Sequence, residues 1–214
     1  MSPDPAVRDA LAAELLAALR DGSPGSCASL RGSLARGTAD AYSDIDVAWT
    51  VAGAEFGASR ARVPALLTGV RPLLSVRADP EFQGSPVRRL LFVCFAGLPL
   101  FWRLDLDVRA ARAPDGDDSG ARRGAAAGGA GWSLAASALA NGVAAVKAVL
   151  REQPGTARGL LERGFARIAV PAAVTGEWRT DIHRLADAAA LREPDQREQA
   201  ERVRSLADTH LAAR

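Results

Sequence analysis

Asp44 and Asp46 stand two apart in a 214-residue chain, with Ile45 between them and Val47 after. In an extended segment, residues two apart project from the same face. Two carboxylates held side by side repel each other unless a cation lies between them. A hard divalent ion such as Mg²⁺ suits such oxygen ligands, and it keeps waters that substrate phosphates can replace. A solvated polar strand face is the plainer account of Asp-Ile-Asp in isolation. Two further segments weigh against that account.

Eleven positions before Asp44 lies Ser33, preceded by Gly32, between an expected strand and an expected short helix. Glycine lets a phosphate approach the backbone, and helix-start N–H groups with a serine hydroxyl can donate to it. Gly-Ser alone is an ordinary turn. Beside a strand with two acids it supplies donors for the same phosphates that a metal would hold. The other segment is Leu104-Asp105-Leu106-Asp107-Val108, which puts two more acids on one strand face. Three carboxylates brought together can hold two metals ~3.5–4 Å apart and clamp a phosphoryl group under in-line attack. Spacing does not choose between Asp105 and Asp107.

Gly32-Ser33, then Ser43-Asp44-Ile45-Asp46-Val47, then Arg103-Leu104-Asp105-Leu106 resembles the signature of the polymerase-β nucleotidyltransferase superfamily. That signature is a Gly-Ser turn, an Asp-x-Asp strand and a later hydrophobic-Asp-hydrophobic strand, and the likeness spans roughly the first half of the chain. It implies that Gly32 and Ser33 bind a triphosphate, that Asp44 and Asp46 bind both metals, and that Asp105 completes the metal site. Asp107 is the second choice for that third position. Arg36 and Ser43 fall where the family has phosphate-side polar residues, although a turn cap also accounts for Ser43.

The implied activity is Mg²⁺-dependent transfer of a nucleoside monophosphate, AMP being the first expectation, from an NTP to a hydroxyl of a small molecule. Two Mg²⁺ ions, ATP as the NTP, and an antibiotic such as an aminoglycoside or lincosamide as acceptor are what the resemblance implies. One alternative is an antitoxin-type adenylyltransferase acting on a partner protein. Another is a non-catalytic nucleotide- or partner-binding module, which the presence of every acid in the motif counts against.

Periodicity predicts the elements that carry these residues. Val7, Leu11, Leu15, Leu16 and Leu19 predict a helix from Pro3 to Arg20. A strand over 26–31 follows, and then a second strand in which Ile45, Val47 and Trp49 alternate with Asp44, Asp46 and Ala48. A helix over 60–74 and a loop over 80–86 precede a hairpin of strands 87–95 and 98–108. From Trp132 onward, four helices are bounded by Pro154, Pro171 and Pro194. The expectation is an α+β protein: a mixed-sheet nucleotidyltransferase core with helices on one side, followed by an all-helical module. Residues 1–112 form the catalytic domain, the Gly/Ala-rich 113–131 a flexible linker, and 132–214 a helical bundle that binds the acceptor.

The helical half offers weaker signals. Lys147 is the only lysine in the chain, and a compact ammonium there suits a phosphate; an ordinary surface lysine is the alternative. Asn141 lies six residues earlier and faces another side. Glu152, Glu177, Asp181, His183 and His210 are candidate bases with none standing out. Arg204 and His210 repeat an Arg-x5-His spacing like that of helical RNase modules, which arises easily in an Arg-rich helix.

A net charge of +2 with basic residues spread along the chain argues against a template-using polymerase, so no nucleic-acid template is expected. No apolar run reaches the ~18 residues of a spanning helix, and no leader is read at the start. A cytoplasmic protein without a membrane partner is expected. Cys27 and Cys94, each in an apolar strand, are expected as buried free thiols.

Overall fold

The computed structural model describes residues 3–111, 132–171 and 173–212. They separate into two compact units, one up to Trp132 and one from Ser133 onward. The linker expected over 113–131 lies outside the described residues. Among those residues the protein is α+β, with one five-stranded mixed sheet and seven α-helices.

The first unit opens with α1 (Pro5–Asp21), capped by the Asp4 side chain, which accepts from the Ala6 N–H, and started by proline at its first position. Then come β1 (Cys27–Leu30), the single turn α2 (Gly32–Arg36), β2 (Ile45–Val51), α3 (Phe56–Val70), β3 (Leu73–Ala78), β4 (Arg88–Phe95) and β5 (Leu104–Ala110). The strand order is β1-β2-β5-β4-β3. β2 and β5 run parallel at the centre and every other pair is antiparallel. Alternation fixes the faces. Ile45, Val47, Trp49 and Val51 from β2, with Leu104, Leu106 and Val108 from β5, share one core with Leu11, Leu15 and Leu19 of α1 and Val63 and Leu67 of α3. Trp49 is fully buried and its indole N–H donates to Ser26 Oγ at 2.9 Å. The intervening residues Asp46, Asp105 and Asp107 therefore stand on the face away from the helices.

In this unit one helix and one strand differ from expectation in their bounds. The helix predicted over 60–74 begins at Phe56 and stops at Val70. Pro72 ends it, because the residue before a proline is pushed out of the helical region; Arg71 is extended at φ −149° and ψ 148°. Leu73 and Leu74 continue the apolar spacing of the helix yet open β3, a strand the sequence pattern hides. The second hairpin strand starts at Leu104, not Leu98, because Phe101 and Trp102 are spent as buried anchors in the connection. The thiols also differ in part: both cysteines are free, but Cys27 is exposed and Cys94 half-buried. β1 is a sheet edge, and Cys27 lies on its uncovered side.

The second unit is four helices, α4 (Leu134–Leu150), α5 (Pro154–Arg167), α6 (Trp178–Arg192) and α7 (Arg197–Leu211). The helix expected from Pro171 starts at Trp178; Asp181 in its first turn accepts from the N–H groups of Thr175 and Gly176 and so fixes the loop before it. Gly142 and Gly164 sit where helices meet: a Cβ at Gly164 would lie 2.8 Å from Leu185. Among the described residues no helix is long and apolar enough to cross a membrane.

Candidate functional site

Asp46 and Asp105 are register partners across the parallel pair β2 and β5, with backbones about 4.8 Å apart on neighbouring strands. Asp44 immediately precedes β2, and the adjoining Ile45 N–H donates to the Arg103 carbonyl at 2.9 Å. The three acids of the sequence motif thus come to one end of the central strand pair. Like charges directly opposite each other destabilise a sheet. Arg103 offsets this: its Nε and Nη2 donate to the two oxygens of Asp105 at 2.5 and 2.7 Å, and Nη2 lies 4.0 Å from Asp44 Oδ2. Its guanidinium also stands 4.9 Å from the centre of the Phe92 ring. Burial alone would lower the Arg103 pKa, but the hydrogen bond and charge of Asp105, with the charge of Asp44, hold it above its ordinary value.

The Gly-Ser turn is pressed onto this group. Gly32 has φ +59°, and a Cβ there would lie 2.0 Å from Asp46 Oδ2. Only glycine satisfies both the left-handed backbone and the contact. Ser33 follows half-buried in α2, and Arg36 is exposed at its end.

The loop that delivers Asp44 is tied at several points. Ser43 Oγ donates to Asp40 Oδ1 at 2.8 Å and accepts from the Asp40 N–H at 3.1 Å. That is the turn-cap role, and the hydroxyl is buried. The Trp102 indole N–H donates to the Ala41 carbonyl at 3.0 Å, Tyr42 meets Phe101 edge-on at 5.1 Å, and buried Arg8 of α1 donates to the Asp40 carbonyl.

Asp107 is placed differently. Its register partner on β2 is Ala48, and its carboxylate is shared by three guanidiniums. Arg88 donates through Nε and Nη2 at 2.9 and 3.1 Å. Arg109 donates through Nε at 2.9 Å and also through Nη2. Arg31 Nη1 lies 3.4 Å away. Burial pushes the Asp107 carboxyl up, but bonds from Arg109 and Arg88 outweigh it and hold it below the usual carboxylate range.

The all-oxygen donor set of Asp44, Asp46 and Asp105 fits Mg²⁺ by type. Gly32, by lacking a Cβ, lets the Asp46 carboxylate pack directly against the turn, which holds that oxygen ligand in place beside the other two acids. Among the described residues no three of His, Cys, Asp and Glu are grouped as a ready metal site. Arg103, which occupies both oxygens of Asp105, supplies the cationic charge there.

In the second unit, Lys147 is not a surface lysine: on α4 it is only 8% exposed. Asn141 on the same helix keeps a buried amide nitrogen with no hydrogen-bond partner among the described residues. Of the candidate bases, Asp181 is fully buried and committed to Thr175, Gly176 and Arg184. His183 Nε2 lies 3.0 Å from Asp208. Arg204 pairs with Asp187 and Glu201, while burial lowers the His210 pKa. Glu152 and Glu177 are exposed at helix ends.

Sequence reasoning missed Arg103 and the arginines of Asp107. Arg103 carried a signal: two positions before Asp105, next to the strand, it shares that acid's face. Arg109, two positions after Asp107 on β5, carried the same signal, whereas Arg31 and Arg88 come from other segments and carried none.

No protein-family model matches the chain, and no curated protein matches it.

Proposed function

We propose that the protein is a Mg²⁺-dependent nucleotidyltransferase of polymerase-β-like kind, moving a nucleoside monophosphate, AMP in the first instance, from an NTP to a hydroxyl of a small molecule. One observation carries this reading: Asp46 and Asp105 face each other on adjacent parallel strands, with Asp44 beside them and Gly32 closed against Asp46. A plain structural sheet gains nothing from opposed carboxylates under a glycine turn.

In this reading Asp44, Asp46 and Asp105 hold the metal, which neutralises phosphate charge and polarises the phosphoryl oxygens when bound. The Gly32-Ser33 turn offers backbone N–H groups and a hydroxyl to the β- and γ-phosphates. Arg36, exposed nearby at the end of α2, adds a guanidinium for the same tail. The acceptor oxygen forms a bond to the α-phosphorus, the bond from that phosphorus to the bridging oxygen breaks, and pyrophosphate leaves. The acceptor's proton passes to a base or to water. Arg103 fixes Asp105 until the substrate is seated, by the same two hydrogen bonds that restrain it now.

The test is release of pyrophosphate by the full chain with Mg²⁺, each of the four NTPs and a panel of hydroxyl acceptors. Release that requires both an acceptor and Mg²⁺, highest with ATP, is the expected result. No NTP binding and no release in any combination would contradict an enzyme and leave the non-catalytic module.

A further inference from the structure

On the face of the sheet away from α1 and α3, positive charge gathers next to the three acids. Arg31, Arg88 and Arg109 all converge on Asp107, and among the described residues it is the only acid within ion-pair range of any of them. Asp107 is 8% exposed, whereas the side chains of Arg31, Arg88 and Arg109 are 50%, 34% and 41% exposed. One carboxylate therefore orders three guanidiniums and neutralises one. A guanidinium has five N–H donors, so among the described residues most of their N–H groups are not taken up by an acid, and the three side chains stay a third to a half exposed. Arg88 is held further by the ring of Phe82, 4.0 Å beneath it. Such an array is what a planar or tetrahedral oxyanion binds best.

Its position gives the array a meaning. Asp107 is two residues along β5 from Asp105 and on the same face, about 7 Å away at ordinary strand rise. That is the distance between two functional groups of one small molecule. We propose that this arginine array binds an oxyanion, phosphate or carboxylate, carried by the acceptor, so that the acceptor class is anionic. The inference rests on the nucleotidyltransferase reading for the word acceptor, but not for the anion site. It also sets the first unit against a polycationic acceptor such as an aminoglycoside, which three guanidiniums would repel.

The experiment is calorimetric titration of inorganic phosphate, and separately of citrate, into the full chain without Mg²⁺ or NTP. Wild type and Asp46→Asn are expected to bind one of the two anions alike. Arg88→Gln/Arg109→Gln is expected to bind at least tenfold more weakly, and Arg31→Gln, which leaves Asp107 doubly paired, three- to tenfold more weakly, with circular dichroism checking that each is folded. Whichever anion binds tighter names the acceptor's group. No binding by wild type, or binding as tight as wild type by the folded Arg31→Gln and double variants, overturns the proposal. So does displacement of the anion by Mg·ATP, which would give the array to the nucleotide's own tail. Tight binding of a short single-stranded oligonucleotide, lost in the double variant, would make the partner a nucleic acid and overturn the small-molecule assignment. Anion binding that survives in a protein with no pyrophosphate release would sink the enzymatic reading alone.

Discussion

A methyl group at position 32 would collide with the carboxylate of Asp46 and would strain a backbone at φ +59°. The backbone part costs about 1–2 kcal/mol, which a folded domain can absorb. The displacement of Asp46 falls directly on the site. Gly32→Ala is therefore expected to melt only a few degrees below wild type while losing at least a hundredfold in pyrophosphate release. Retention of activity within threefold would show that the close approach is incidental. At this scale the sequence was most legible where chemistry and spacing agree. Asp44 and Asp46 could be picked because two acids on one strand face are costly without a reason. Asp105 and Asp107 could not be separated by spacing, since both lie on the same face of β5. What separates them in the structure is their partners: Asp46 across the strand for one, and a ring of arginines for the other. Those arginines sit on β4, on β5 and just after β1, so only the strand pairing brings them together.

Among the elements, α4 shows how a helix start is secured from afar. Ser133 caps it conventionally, its Oγ accepting from the Ala136 N–H at 2.8 Å. Glu193, from the end of α6, accepts from the Ala135 N–H at 3.1 Å and from the Ser133 hydroxyl. Burial raises the Glu193 pKa, but these bonds together outweigh it, so the folded value lies below the ordinary one. A carboxylate with a depressed folded pKa stabilises fully above its unfolded pKa of about 4.3, and that stability is lost as pH falls through the folded value. Glu193→Ala is expected to cost about 1 kcal/mol at pH 7, roughly 2–4 °C in Tm for a chain of this length. The gap to wild type should narrow as melting is followed down to pH 3; a gap constant over that range would deny the cap its charge. Helices were the more legible elements, because apolar spacing and proline boundaries act locally. β3 was illegible for a physical reason, since Leu73 and Leu74 extend the helical pattern of α3 and only Pro72 marks the change. The late start of β5 was hidden likewise, because Phe101 and Trp102 read as strand residues but serve as anchors under the Asp44 loop.

For the whole molecule, a formal charge of +2 says little about where charge lies. Folding gathers acids at one end of the central strands and arginines beside them, on the face away from α1 and α3. Under the proposed function, the acids would take the metal-bound triphosphate and the arginines an anionic group of the acceptor. The α+β division and the helices on one side of the sheet were legible from the order of elements. The identity of the acceptor was not, because acceptor contacts depend on tertiary juxtaposition and not on a linear motif. The central claim is that Asp46 holds catalytic metal, and Asp46→Asn tests it most directly, since the amide keeps the shape and the contact with Gly32 but loses the charge. Pyrophosphate release with Mg·ATP and an active acceptor should fall at least a thousandfold in Asp46→Asn with its melting curve preserved. Release at the wild-type rate from the folded variant would contradict the account.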